Sequence, residues 1–166
     1  MNKHIINIAD VALEPRPPQF APQGAAAERF DARTGQIGRQ IGAKKLGYNL
    51  TAVPPGKRAY PFHNHRSNEE MFYILQGRGE VRIGADTFPV RAGDFIACPP
   101  GGPELAHQIV NTGADELKYL AVSTMQYPEV CEYPDSGKVG SFGGTGTDRI
   151  RHMTEMSSGV DYWKGE

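Results

Sequence analysis

No apolar run in this chain approaches the roughly 20 residues needed to cross a bilayer, so no membrane partner is expected. There is no basic stripe either. The net charge is −1 and the sequence pI is near 6.5. Without clustered lysine and arginine nothing tracks a phosphate backbone, which argues against nucleic acid. Cysteine is scarce: Cys98 and Cys131 are too few for a disulfide framework. Residues 1–10 carry Lys3 but neither a long apolar core nor a small-residue cleavage site. No signal peptide is therefore expected, and the expected setting is cytoplasmic, with reduced thiols. Helix signals are nearly absent, and no repeat of the blade or solenoid kind recurs. No helix-turn-helix pattern is visible, which disfavours a self-contained transcription factor. The glycine-rich run 140–146 lacks the Gly-Lys-Ser/Thr ending of a phosphate-binding loop.

What the chain has instead is punctuation. Its 20 glycines and 13 prolines make up about a fifth of 166 residues, which favours short strands joined by turns. One domain is expected at this length. Residues 1–36 read as an N-terminal arm, broken by Pro15, Pro17, Pro18 and Pro22 and lying over the domain or over a partner subunit. From 37 to 124 the texture changes to short β-type runs, at 37–41, 46–53, 62–65, 70–76, 80–83, 87–90, 94–98, 107–110 and 117–123. Gly84-Ala85-Asp86 is a hairpin signal between two of them. Such a series argues for an all-β sandwich or small barrel. Residues 125–166 read as an irregular tail that packs on the barrel or a partner through Tyr162 and Trp163.

The chemistry concentrates in His63-Asn64-His65. On a strand, the i, i+2 spacing puts both imidazoles on one face. A turn through Arg66, Ser67 and Asn68 can return Glu70 to that face, and His107 follows a Gly- and Pro-rich loop. Glu70 is preferred over Glu69 because it shares strand parity with Phe72 and Ile74, the expected inward-facing residues. Three imidazoles and one carboxylate are a complete protein ligand set for one divalent transition metal: zinc, iron, manganese or nickel. On an octahedral ion they leave two positions for a small-molecule ligand. Imidazole must be neutral to bind, with an ordinary pKa of about 6.5, so metal affinity should fall towards pH 5. Lys57, Arg58 and Tyr60, just before His63, are candidate contacts for an anionic substrate, with a solvated basic loop as the alternative. Glu104 is a candidate general base, with plain exposure as the alternative.

These spacings resemble both signature motifs of the cupin superfamily. The first is carried here by Gly56, His63, His65, Glu70 and Gly77, the second by Gly93, Pro99, Gly101, His107 and Asn111. One extra residue precedes His63 and three extra, within 102–106, precede His107. The second insertion enlarges a loop at the rim. The resemblance implies a cupin double-stranded β-helix (jelly roll) with irregular N- and C-terminal arms, and a metal on His63, His65, Glu70 and His107. Exposed strand edges and long arms point to a homodimer. For function it implies a metal-dependent enzyme on a small sugar-like or oxygenated substrate, isomerase- or epimerase-like. An iron-dependent dioxygenase and a non-catalytic sensor or carrier are the alternatives. Residues 133–140 and 161–166 are also similar to bacterial cupins with sugar-phosphate-isomerase-like labels.

Overall fold

The computed structural model describes residues 4–144 and 146–166. In chain order the strands are β1 (Glu14–Pro15), β2 (Arg33–Gln36), β3 (Leu46–Val53), β4 (Asn64–His65) and β5 (Glu70–Gln76). They continue with β6 (Arg78–Ile83), β7 (Asp86–Arg91), β8 (Phe95–Cys98), β9 (His107–Val110) and β10 (Leu117–Thr124). The last three are β11 (Glu129–Tyr133), β12 (Lys138–Gly143) and β13 (Ile150–Glu155). One five-residue helix, α1 (Ala25–Arg29), lies in the arm.

A six-stranded sheet runs β1-β2-β3-β10-β5-β8. A second face is made of β7-β6-β9 and β13-β12-β11-β4. His63 and His107 stitch these two pieces together by exchanging backbone hydrogen bonds of 3.2 and 2.8 Å. The apolar core lies between the layers. Along β10, Leu117, Tyr119 and Ala121 are buried at period two, facing Phe72 and Ile74 of β5 and Val81 and Ile109 opposite.

The arm covers the other side of the large sheet. Val11, with Ile6 and Leu13, packs on Leu50, Leu75 and Leu120, the outward-parity residues of β3, β5 and β10. A fully buried side chain of this kind contributes about 1.5–3 kcal/mol, enough to hold an arm with little strand pairing of its own. Among the outward residues of β5, Tyr73 packs its ring on Phe95, 4.5 Å between centroids.

Two expectations about elements need correction. Residues 37–41 form a turn rather than a strand, with Gln40 N and Ile41 N both donating to Ile37 O; the strand lies just before, at β2. Ile37 and Ile41 are four apart, so on a helical turn both reach the same apolar cluster under the arm. The tail is not irregular. From 129 to 155 it folds into β11, β12 and β13, and β11 pairs with β4. Tyr162 and Trp163 pack on each other, 4.8 Å between ring centroids, but are 83% and 72% exposed, so they do not anchor the tail to the barrel.

Two motif residues have structural work. Gly77 sits at φ +83°, and a Cβ there would stand 2.7 Å from Glu116 O, so glycine is required by both backbone and space. Asn111, fully buried, donates to Val53 O and Asp115 O at 2.8 Å each and accepts from Gly113 N at 2.9 Å. It ties three loop segments at one end of the barrel.

Candidate metal centre

His63 and His65 lie on one face of the β4 segment, Glu70 begins β5 and His107 begins β9. The structure brings the four together. Glu70 Oε2 is 3.0 Å from His107 Nε2, 3.3 Å from His65 Nε2 and 3.9 Å from His63 Nε2. Glu69, the rival carboxylate, is exposed.

The ring partners select the nitrogens. His63 Nδ1 donates to Pro61 O at 2.8 Å, a carbonyl that can only accept. Burial, then the neighbouring His107, lower the pKa of His63 to about 4, so it is neutral. Its Nε2 lone pair therefore faces a carboxylate oxygen. Two acceptors aimed at each other are unfavourable unless a cation lies between them. His65 is turned the same way: Nδ1 contacts Cys131 Sγ at 3.3 Å, and the buried Nε2 makes no hydrogen bond. Without metal, burial opposes charge on His65, but Cys131 and Glu70 outweigh it and raise its pKa to about 10; a metal bound at Nε2 would take the place of that proton. Glu70 is held below the usual carboxylate range: burial opposes the charge, and the contacts from His107 and His65 overcome it. Ligand atoms about 2.1 Å from one ion and at right angles stand about 3 Å apart. His63, Glu70 and His107 place one ligand atom each within 4.8 Å of one another, a spacing that fits a metal, and His65 Nε2 adjoins this group through Glu70 Oε2 at 3.3 Å.

Cys98 pairs with Glu70 across β5 and β8 but is no ligand. Burial and then the Glu70 charge push its thiol up to about 12, so it packs as a neutral small residue. Lys57 Nζ donates to Glu28 O, and the Arg58 guanidinium reaches Gln108 Oε1 at 3.3 Å beside the Phe30 ring. Both serve the arm, and neither lines the cavity above the histidines. Tyr60 packs against the core, its ring 6.5 Å from that of His63, under the Arg16 guanidinium. Glu104 accepts from Gly102 N within its own turn, at 3.0 Å. The enlarged loop is pinned to the ligand strand: Gly101 N donates to His65 O, and Asn64 Nδ2 to Gly101 O, both at 2.8 Å.

The residues missed in the sequence come from the tail. Glu129, Cys131 and Tyr133 alternate on one face of β11, and Cys131 stands opposite His65 in the pairing with β4. The Tyr133 ring stacks on His63, 6.0 Å between centroids and 18° between planes. Burial raises its phenol to about 12. His65, Glu129 and Cys131 also lie close enough to suggest a second metal group. Glu129 argues against it. Oε1 accepts from Arg66 N and Ser67 N at 3.1 and 3.2 Å, and Oε2 from Asn68 N at 2.9 Å and from Asn68 Nδ2. Its lone pairs hold the turn between His65 and Glu70.

The opposite face of β11 carries Glu132. It accepts from Asn64 Nδ2 at 2.9 Å and takes a bidentate contact from Arg66, Nη2 to Oε1 at 2.7 Å. Burial would raise its pKa, but the Arg66 and Asn64 donors outweigh that and lower it. A depressed folded value adds stability above the ordinary value of 4.5, and that stability is lost as pH falls below it through the folded value. In metal-free protein, hydrogen-exchange protection of β11 should fall over that acid window. Glu132→Gln should flatten the dependence; an unchanged profile in the variant would remove Glu132 as its cause.

A cavity of about 350 Å³ opens over His63 and His65, walled by Met125, Tyr133, Phe142, Arg149 and Ile150. That is within the usual range for small-molecule sites. Among the described residues, no helix is long and apolar enough to cross a membrane.

Residues 49–123 match the cupin domain family model. An oxalate-binding protein of Thermotoga maritima is 36% identical over 70 residues, 42% of this chain and 54% of that protein. The Streptomyces cyaneus protein named polyketide synthase CurC is 32% identical over 90 residues, 54% of this chain and 56% of that one. The chain thus spans little more than half the length of the curated relatives it matches. Among solved structures, a sugar phosphate isomerase from a cupin superfamily, of Silicibacter pomeroyi, superposes with a TM-score of 0.78 at 21% identity, covering 93% of this chain and 94% of that one. A provisionally named sugar phosphate isomerase of Acidithiobacillus ferrooxidans gives 0.79 at 23%, covering 96% of each. At such identities the likeness is one of fold, and it extends beyond the barrel to arm and tail. The fold is a double-stranded β-helix like that of these structures, and residues 49–123, under half of the chain, are similar to the cupin domain family.

Proposed function

We propose that this chain is a metal-dependent enzyme that isomerises or epimerises a small sugar-like molecule in the cavity above His63 and His65. The observation that carries this reading is the neutral His63 Nε2 facing Glu70 Oε2 at 3.9 Å, with His65 and His107 converging on the same oxygen, at the floor of an open cavity. A divalent ion bound there supplies Lewis acidity towards a carbonyl or hydroxyl group. The chain's own residues do the rest. His63, His65, Glu70 and His107 fix the polarising centre, and Met125, Phe142 and Ile150 limit water around the ligand. Tyr133, protonated at neutral pH and stacked on His63, is placed to donate a proton to a ligand oxygen. Isomerisation removes a proton from the carbon beside a carbonyl and returns one to carbon, so it needs a base to take that proton, here solvent water in the open cavity, as well as the donor, and no redox partner. The full-length likeness to two structures named as sugar phosphate isomerases agrees with this reading.

The test uses the purified chain loaded separately with zinc, manganese or iron(II), incubated with aldose and ketose phosphates in deuterated water. Deuterium at the carbon beside the carbonyl, with the isomeric sugar appearing, is the expected result. Chelation should abolish both and metal should restore them. Saturable binding without exchange or isomer would sink the enzyme reading in favour of a binding module.

A further inference from the structure

Lys57 and Arg58 are turned to the arm, so a negatively charged ligand over the histidines needs another cation. Among the described residues lining the cavity, Arg149 is the one guanidinium or ammonium group. It is exposed and has no ion-pair partner among the described residues. Four other arginines are engaged: Arg33 with Glu116, Arg66 with Glu132, Arg82 with Asp135, and Arg151 over the Phe20 ring. The carboxylate in the same lining is Glu129, and its oxygens are occupied by the N–H groups of residues 66–68. The lining therefore offers an anion one free cation and no free carboxylate. The backbone also fixes where Arg149 starts. It directly precedes β13, whose Ile150 pairs with Gly143 of β12. The turn before it closes so tightly at Gly144, φ +66°, that any Cβ there would strike Asp148 O.

We infer that Arg149 is the anion-recognition residue of the cavity, taking the phosphate monoester or carboxylate end of a small ligand whose other end reaches His63 and His65. This rests on the reading that the cavity is the substrate site. A guanidinium holds either group through paired, charge-assisted hydrogen bonds. Arg149 thereby selects charged sugars over their neutral parents, while Tyr133 and the histidines act at the other end.

Isothermal titration of wild type, Arg149→Gln and Arg149→Lys with ribose 5-phosphate, ribose and oxalate tests it. Ribose 5-phosphate or oxalate should bind wild type at least about tenfold tighter than ribose. Whichever anion does so identifies the group recognised. Arg149→Gln should erase the preference with ribose binding and metal content unchanged, and Arg149→Lys should keep part of it. No preference in wild type, no saturable binding by either anion, or a preference that survives in Arg149→Gln overturns the inference. Metal content in His107→Ala tests the metal reading separately. Metal lost there, with the anion preference intact, leaves the Arg149 assignment standing.

Discussion

His107→Ala and Glu70→Gln are expected to strip the protein of its metal. Four-ligand sites of high affinity bind with about 10–16 kcal/mol, so one ligand carries on average about 2.5–4 kcal/mol. That corresponds to a loss of roughly a hundred- to a thousandfold in affinity. The two variants fail for different reasons. His107→Ala removes a nitrogen donor but keeps the backbone pair with His63, since both bonds run between main-chain groups. Glu70→Gln keeps the shape of the side chain and removes its charge. In metal-free protein it relieves the 3.9 Å opposition between Glu70 Oε2 and the His63 lone pair but forfeits the shorter His65 and His107 contacts that hold Glu70 ionised, so the stripped variant should melt below stripped wild type. Metal analysis and calorimetry of loaded and stripped samples read both effects. One ion per chain retained in both variants would falsify the ligand set.

Glu129→Ala should damage the same centre although Glu129 is not itself a ligand and only approaches His65 Nδ1, at 3.6 Å. It leaves the main-chain N–H groups of Ser67 and Asn68 without their acceptor, while Arg66 N keeps Val130 O and the Asn68 amide keeps Gln126 O, in a turn where Asn68 and Glu129 are buried. Removing a charged acceptor from buried donors costs on the order of 3 kcal/mol. In a chain of this size that lowers Tm by about 6–12 °C. The turn sets the spacing from His65 to Glu70, so metal affinity should also fall, by about ten- to a hundredfold, as when groups that orient ligands are lost. Glu104→Ala, which removes a contact internal to its own turn, is the control and should change neither quantity. A Glu129→Ala protein that melts within 2 °C (roughly the resolution of the measurement) and keeps full metal affinity would show that the turn holds itself.

The two faces of β11 explain why the tail matters to a barrel site. Glu129, Cys131 and Tyr133 meet His65, His63 and the turn between the ligands, while Glu132 meets Asn64 and Arg66 behind them. A single strand thus supports the ligand strand from both sides. None of this is periodic in hydrophobicity. Two of its buried residues are glutamates, and a strand that buries carboxylates reads as a loop until their donors are known. The partners lie more than 60 positions earlier in the chain, beyond the reach of any local pattern. The cation over the cavity is a similar case. Lys57 and Arg58 are next to His63 in sequence, but α1, Phe30 and Gln108 capture them, and Arg149 arrives from the tail.

The sequence by itself determined what is local. The i, i+2 histidines share a face because strand parity leaves no other arrangement, and Glu70 faces inward for the same reason, in step with Phe72 and Ile74. Gly77 had to be glycine, and eight of the nine short runs between turns are strands, 37–41 being the exception. Tertiary structure alone decided what surrounds those ligands. It chose β11 as the neighbour of β4, spent the lone pairs of Glu129 on a turn, set Tyr133 over His63 and turned Lys57 and Arg58 outward to the arm. The physical reason is that ligand parity follows from the geometry of one strand. Burial of a charge is settled only by which distant donors the completed fold brings within hydrogen-bonding distance.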